Sequence, residues 1–249
     1  MFEKFNIPAL YLAKNAMLAA FSTGRHTCLV FDSGAQHSSA IPVLEGFVLS
    51  ESIVKTPYGG DFITGICYKH LLERKVEINP PYLVKTKEQV PKGEKAKWVR
   101  RIVPDGITQS WHQYMIRKEV NNLKLSAFRV FDTKLDLEEA NKTYDPINYE
   151  FPDGFNLDFS IQEQFLIPEL LFDSELTLPQ ESSFSNLPKP TLTYSNIILS
   201  SIAKCDIDIR PSMLNSIVLA GGNTLLNGFT DRITNDLFTL APQVLLYYI

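Results

Sequence analysis

Two short apolar runs, each ending in a small glycine-bearing bend, constrain this chain more than any other feature. Leu29-Val30-Phe31 leads into Asp32-Ser33-Gly34, and Val218-Leu219-Ala220 leads into Gly221-Gly222-Asn223-Thr224. Each reads as a strand feeding a tight turn. Around them, Asn15–Ser22 reads as a short helix closed by Gly24, and Tyr194–Lys204 as a helix through Ile197, Ile198 and Ile202. Gly228–Leu240 reads as a third helix, with Phe229, Ile233, Leu237 and Leu240 on one face. Thr27–Asp32 and Ser39–Leu44 form two strands around a polar turn, and Gly46 turns the chain into Phe47–Leu49. Ala9–Ala13 reads as one more buried strand. Strands first, helices between, then strand, turn and helix again predict an α/β architecture interrupted by an inserted subdomain.

The middle of the chain is different in character. Asp61 to about Arg74 looks helical, with Phe62, Ile66 and Leu72 on one face. Pro80–Pro104 carries Lys85, Lys87, Lys92, Lys95, Lys97, Arg100 and Arg101 against only Glu88 and Glu94, with little apolar periodicity. It reads as a surface loop or insertion. A helix resumes from Ser110, with Trp111, Tyr114 and Met115 as its first apolar contacts. Asp132–Asp145 is acidic and weakly patterned, and Thr177–Pro190, rich in Ser, Pro and Leu, reads as a second loop.

With 249 residues, 45% apolar and 21% charged, the chain has the composition of a folded domain. A net charge of −4 argues against coating nucleic acid by bulk electrostatics, though not against a local basic patch. The longest apolar runs, Ala16–Phe21 and Val244–Ile249, hold six residues, too few to span a bilayer. Asn6, Pro8, Lys14 and Asn15 break the apolar stretch after Lys4, so no secretory signal core is expected. Cys28, Cys67 and Cys205 are odd in number and far apart, which fits reduced thiols of a cytosolic or nuclear protein. His26, His37, His70 and His112 show no zinc-ligand spacing.

The two bends are the places where chemistry could reside. Small side chains at Asp32-Ser33-Gly34 let phosphate oxygens approach successive main-chain N–H groups, and Asp32 could orient a hydrated divalent cation. Gly221-Gly222 would let a flat ligand lie against the main chain. An ordinary hairpin turn accounts for either bend alone. Val30-Phe31-Asp32-Ser33-Gly34-Ala35 also matches the short pattern of an aspartic protease. That chemistry needs two carboxylates sharing a proton, and a second Asp-Ser/Thr-Gly is absent, so only a dimer could supply it.

Taken in order along the chain, the segments resemble the actin family. Met1–Ala9 is similar to the stretch leading into the helix with that family's hydrolytic glutamine. Gly24-Arg25 followed by Leu29–Gly34 is similar to its second phosphate hairpin. Tyr149–Gly154, Phe165–Phe172 with Pro168-Glu169, Lys204–Arg210 and the Gly221-Gly222 turn complete the series. Within the family, Ala40-Ile41-Pro42, Gly60–Thr64, Pro80-Pro81-Tyr82, Ser110-Trp111-His112, Ala220–Thr224 and the basic Lys85–Arg101 insertion look like the nuclear actin-related protein 4 group.

The resemblance implies an actin-like fold, mostly its inner half (subdomains three and four). Residues 1–58 and 192–249 would form the subdomain-3-like core, and 59–191 a subdomain-4-like insertion with the basic loop at 80–104. The family's first phosphate hairpin would precede Met1 and its final quarter would follow Ile249. ATP and Mg²⁺ are the implied ligands, with Asp32, Ser33 and Gly34 on the phosphate side and Asp32 serving the metal. Gly221, Gly222, Asn223 and Leu225 would line the nucleoside side, and Gly60 the rim. Asn15 stands at the position of the hydrolytic glutamine, Ala35 at that of the second magnesium-orienting aspartate, Gln36 at the next loop glycine and Ser39 at the cleft histidine. A cradle kept while its chemistry is lost implies binding with weak or no hydrolysis and no catalytic residue, an active ATPase or sugar-kinase relative being the rival. The implied setting is a structural subunit of nuclear chromatin-remodelling and histone-acetyltransferase complexes. There it would pair with actin on a helical segment of the motor subunit, contact other subunits, and reach an acidic surface or DNA through Lys85–Arg101.

Overall fold

A computed structural model of the chain describes residues 1–88, 90–103, 106–176 and 190–241. Among these, the central sheet is built from β1 (Cys28–Ser33), β2 (Ser38–Leu44), β3 (Phe47–Val48), β4 (Val54–Thr56) and β9 (Ile217–Ala220). The hairpin β1–β2 is antiparallel, with Asp32 opposite Ser39 and Val30 opposite Ile41. On its other side β1 runs parallel to β9, with Asp32 opposite Ala220. Both β3 and β4 pair with β2. The first four residues of β1 are completely buried, as a strand with neighbours on both sides and helices on both faces requires.

Helix α2 (Asn15–Ser22) covers one face of the sheet, where Ala16 and Ala20 pack with Cys28, Val30, Ile41 and Val218. The opposite face holds the larger core. There Leu29 and Phe31 meet α3 (Gly60–Glu73), α4 (Gln109–Ala127), α7 (Tyr194–Ala203) and α9 (Phe229–Leu240). Phe31, Phe172, Tyr194 and Phe229 form an edge-and-stack cluster at its centre, with ring centroids 5.1 to 6.5 Å apart. Residues 60–170 carry two hairpins of their own, β5–β6 (Val84–Lys87, Trp98–Arg100) and β7–β8 (Ile147–Glu150, Asn156–Phe159), with the short helix α5 (Leu137–Thr143) before the second. The helix α6 (Ile161–Glu169) then opens with a complete capping box between Ser160 and Glu163. The apolar core is continuous from Leu29 to Phe151 and Phe159, so the inserted segment packs on the sheet region through buried side chains.

Several local expectations change. Ala9–Ala13 is not a strand: the segment is irregular, and Leu10, Tyr11 and Leu12 are exposed. An apolar run becomes a strand only where a neighbouring edge accepts its hydrogen bonds, and none is offered there among the described residues. The buried face of α3 is Ile63, Ile66, Cys67, His70 and Leu71, while Leu72 points to solvent. On α4 the buried stripe is Ile116, Val120, Leu123 and Ala127, with Trp111 and Tyr114 exposed. Leu240, grouped with Phe229, Ile233 and Leu237, is also exposed. Within the stretch read as a surface loop or insertion, Val84–Lys87 and Trp98–Arg100 pair as β5–β6, and the described residues between them carry no helix or strand. Residues 177–189, Pro104 and Val244–Ile249 lie outside the described residues. Among the described residues no helix is long and apolar enough to cross a membrane.

Candidate functional site

The parallel pairing of β1 and β9 brings the two glycine bends to the same edge of the sheet. Asp32 and Ala220 are partners, so Asp32-Ser33-Gly34 and Gly221-Gly222-Asn223 leave side by side. Gly221 has φ +92°, and a Cβ there would lie 2.3 Å from Ser33 O and 2.7 Å from Asp32 Oδ1. Only glycine fits so close to another main chain. The Gly34 bend is held from a third direction by the start of α3: Gly60 N–H donates to Gly34 O (2.9 Å) and Asp61 N–H to Ala35 O (2.7 Å). Gly59 is packed as tightly, since its Cβ would sit 2.6 Å from Ala35 O. Residues distant in sequence thus converge with main-chain atoms, not bulky side chains, at the surface.

Beneath this junction the side chains turn inward. Ser33 is fully buried and its hydroxyl lies 2.8 Å from Ser38 Oγ and 3.2 Å from Tyr194 Oη. Asn223 Nδ2 donates to Ser33 Oγ (3.1 Å) and to Tyr194 Oη (3.2 Å), and Ser38 Oγ donates to Tyr58 O (2.8 Å). Burial pushes the Tyr194 phenol above its ordinary range, against the pull of the Ser33, Ser38 and Asn223 hydrogen bonds, and it stays a neutral hub. The side chains of Ser33 and Asn223, named from sequence as ligand contacts, therefore brace the two bends from within, and both residues are buried. Leu225 is 72% exposed, and Gly222 is open with nothing within 4 Å of a Cβ position.

Asp32 is partly exposed, and Asn15 Nδ2 at the start of α2 donates to its Oδ2 at 3.0 Å. Within one copy of the chain, among the described residues, Asp32 is thus bound by an amide and not by a second carboxylate. Of the positions read as lost chemistry, Ala35 and Gln36 are exposed beside the bend, while Ser39 is buried in β2.

Lys124 joins the site without having been foreseen. Its ammonium donates to Gly60 O at 3.2 Å, and it is only 3% exposed. Burial lowers its pKa, opposed by the nearby Cys67 and Asp61. A lysine in an amphipathic helix ordinarily reads as a solvated residue. The signal that would have found it is spacing: position 124 falls on the stripe of Ile116, Val120, Leu123 and Ala127. Asn223 Oδ1, buried near Gly60, finds no hydrogen-bond partner among the described residues.

This arrangement fits a phosphate-bearing ligand carrying its own cation. The junction is main chain packed so closely that a Cβ would intrude at Gly221 and Gly59, with the open Gly222 beside it, a buried cation behind Gly60 and a single partly exposed carboxylate at Asp32. Among the described residues no group of three or more His, Cys, Asp or Glu could hold a metal by itself. One carboxylate suits Mg²⁺ that keeps its waters and arrives with phosphates.

Comparison with known proteins gives a consistent answer over nearly the whole chain. The family profile described as Actin matches residues 1–246. Actin-related protein 4 of Arabidopsis thaliana is 36% identical over 249 residues, covering 98% of this chain and 54% of that protein. Actin-related protein 4 of Schizosaccharomyces pombe is 33% identical, covering 97% and 59%. The SWI/SNF and RSC complexes subunit arp42 of the same yeast is 29% identical, covering 96% and 58%. The chain spans about half the length of the curated relatives it matches.

Proposed function

Because this chain belongs to the actin family and has its α/β fold, we propose that it forms one wall of an ATP·Mg²⁺ site in an actin-related subunit of nuclear chromatin-remodelling complexes. The observation that carries the nucleotide part is the β1–β9 junction, where Gly221 rests on the Ser33 main chain. Asp32 and the Gly34 bend would face the phosphates and their Mg²⁺, and the Gly221–Leu225 turn the nucleoside, with Gly60 at the rim over Lys124. Bound nucleotide would supply its charge and bulk as a clamp between the bends. The setting in chromatin rests on the printed names of the relatives, one of which is a subunit of SWI/SNF and RSC complexes. Actin, a helical segment of the motor subunit, and a place in histone-acetyltransferase complexes are the finer parts of the same proposal.

Hydrolysis is slow on this reading. A water attacking phosphorus must be held near 3 Å, and displacement by about 1 Å costs on the order of a hundredfold. Asn15 is one methylene shorter than glutamine and its amide is occupied by Asp32. Ala35 offers no carboxylate to order the waters of magnesium, and a buried Ser39 cannot relay a proton as imidazole does. The rival, an active ATPase of the same fold, requires those roles to be filled from elsewhere.

Equilibrium dialysis with ATP and Mg²⁺ tests the proposal. The chain should bind ATP weakly, since one wall leaves phosphate charge under-paired. Lys124→Met should weaken binding about tenfold by removing the hydrogen bond that holds the Gly60 rim and the buried charge behind it, and phosphate release should stay near background. Binding indifferent to Lys124 would place the nucleotide elsewhere, and turnover in wild type would establish the active ATPase instead. For the setting, immunoprecipitation from nuclear extract should recover actin; a cytoplasmic protein without actin would overturn it.

A further inference from the structure

The cationic hairpin and the start of α4 form a second surface, apart from the nucleotide cradle. Trp111 and Lys124 lie at opposite ends of α4, about 20 Å apart along its axis. Here a cavity of ≈ 380 Å³ opens between α3, the 3₁₀ turn Pro81–Leu83, β6 and α4. Tyr68, Val76, Leu83 and Ile116 line its apolar part, and Trp98 and Arg100 stand on its wall. Tyr82 fixes the wall: its hydroxyl lies 2.6 Å from His112 Nδ1, and its ring meets Trp111 edge-on at 4.5 Å.

The charges around the cavity are unequally engaged. Lys87 pairs with Glu150, and Lys92 with Asp158 at 3.2 Å. Lys85, Lys95, Lys97, Arg100 and Arg101 have no carboxylate partner among the described residues. In a chain whose net charge is −4 this is a local reversal of sign. The same region exposes apolar side chains, with Val99 55% and Ile102 96% exposed. Isolated exposed aliphatics are ordinary, but here they directly flank the unpaired cations Arg100 and Arg101 in sequence.

We propose that this surface docks an acidic peptide segment of a partner protein. Its one large aliphatic side chain enters the cavity between Tyr68, Val76, Leu83 and Ile116, and its carboxylates engage Lys97, Arg100 and Arg101. Unpaired cations beside an apolar cavity are complementary to a ligand that is acidic with an aliphatic anchor. A nucleic-acid backbone could use the cations but has no aliphatic side chain to place in the cavity between Tyr68, Val76, Leu83 and Ile116.

The chain's two tryptophans, Trp98 and Trp111, both lie on this surface, so intrinsic fluorescence reads it without a label. The full chain is titrated with a short Asp/Glu peptide bearing one central Leu, with the same peptide carrying Ser for Leu, and with duplex DNA. The Leu peptide should give a saturable spectral shift. Its affinity should fall about tenfold with Ser in place of Leu, and by at least as much in Arg100→Glu. Lys55→Glu, on β4, should bind as wild type, and circular dichroism should show both variants folded. No spectral change up to millimolar peptide, equal binding of the Leu and Ser peptides, or tighter binding of DNA would each overturn the proposal.

Discussion

Gly221 and Gly222 are adjacent in sequence but placed so differently that replacing each with alanine separates the mechanics of the β1–β9 junction from its openness. At Gly221 two costs add. The backbone there, at φ +92° and ψ 152°, is a region that L residues occupy only under strain, costing about 1–3 kcal/mol. The new Cβ would also fall 2.3 Å from Ser33 O and 2.6 Å from Ser33 C, both main-chain atoms that no rotamer change can move. Strands β1 and β9 must separate to admit it, loosening the Asp32–Ala220 pairing and the Asn223–Ser33 hydrogen bond. The sum is about 2–4 kcal/mol, a large share of the ~5–15 kcal/mol that holds a typical domain together. At roughly 2–4 °C per kcal/mol for a chain of this size, the unfolding midpoint should drop by about 5–15 °C. Gly222 has negative or extended φ and nothing within 4 Å of its Cβ position, so Gly222→Ala should shift stability by less than about 0.5 kcal/mol. Thermal unfolding followed by circular dichroism, without nucleotide, compares the pair. If Gly221→Ala melts within 2 °C or so of wild type, or Gly222→Ala falls as far, the close approach of the two bends is not what holds the junction.

Two further tests concern buried charge behind the site. Arg232 donates twice to Glu169 at 2.7 Å and once to Asp236 at 2.8 Å, and the Arg232 and Glu169 side chains are 2% and 1% exposed. Arg232→Met should cost about 3–5 kcal/mol by stranding a buried carboxylate. Burial already raises the Glu169 pKa against the pull of Arg232, so the deficit should shrink as pH falls and Glu169 takes up a proton; urea unfolding with a pH-independent deficit would contradict this. Glu163 behaves oppositely: burial raises its pKa, but hydrogen bonds from His70 and Ser160 and the charge of Arg74 outweigh it and draw the group from 4.5 to about 2. Its stabilisation is complete above the unfolded value and is lost as pH falls from about 4.5 towards 2, amounting to roughly 1–3 kcal/mol. Glu163→Gln should flatten the stability profile across that interval; an acid slope equal to that of wild type would show that Glu163 is not the titrating group.

What the sequence disclosed, and what it withheld, follows from how local each constraint is. Helices α2 and α7 and strands β1 and β2 fall within a residue or so of their expected bounds, because an apolar run closed by a glycine or polar bend carries its own start and stop. Ala9–Ala13 has an equally apolar run and fails as a strand, since pairing depends on an edge supplied from elsewhere. The hairpin β5–β6 was hidden for the converse reason. Its lysines have weak strand propensity and point outward, while the pairing rests on partners such as Val84 with Arg100 and Lys87 with Trp98.

The candidate site divides along the same line. Glycine is a visible mark in the sequence, and at Gly221 the demand it answers, close approach to another main chain, excludes every other residue type. Ser33 and Asn223 carry no such mark. A serine at a bend is equally suited to hydrogen-bonding a phosphate or a buried tyrosine, and only the position of Tyr194 decides that it does the second. Lys124 is the extreme case. Its residue type predicts solvent and its helical phase predicts core, and the conflict resolves only because Gly60 O accepts a hydrogen bond from its ammonium. A charge on the buried stripe of an amphipathic helix is costly unless something repays it. Such local inconsistency is therefore a better pointer to a site than agreement between residue type and environment, and in this chain it singles out the lysine behind the rim glycine.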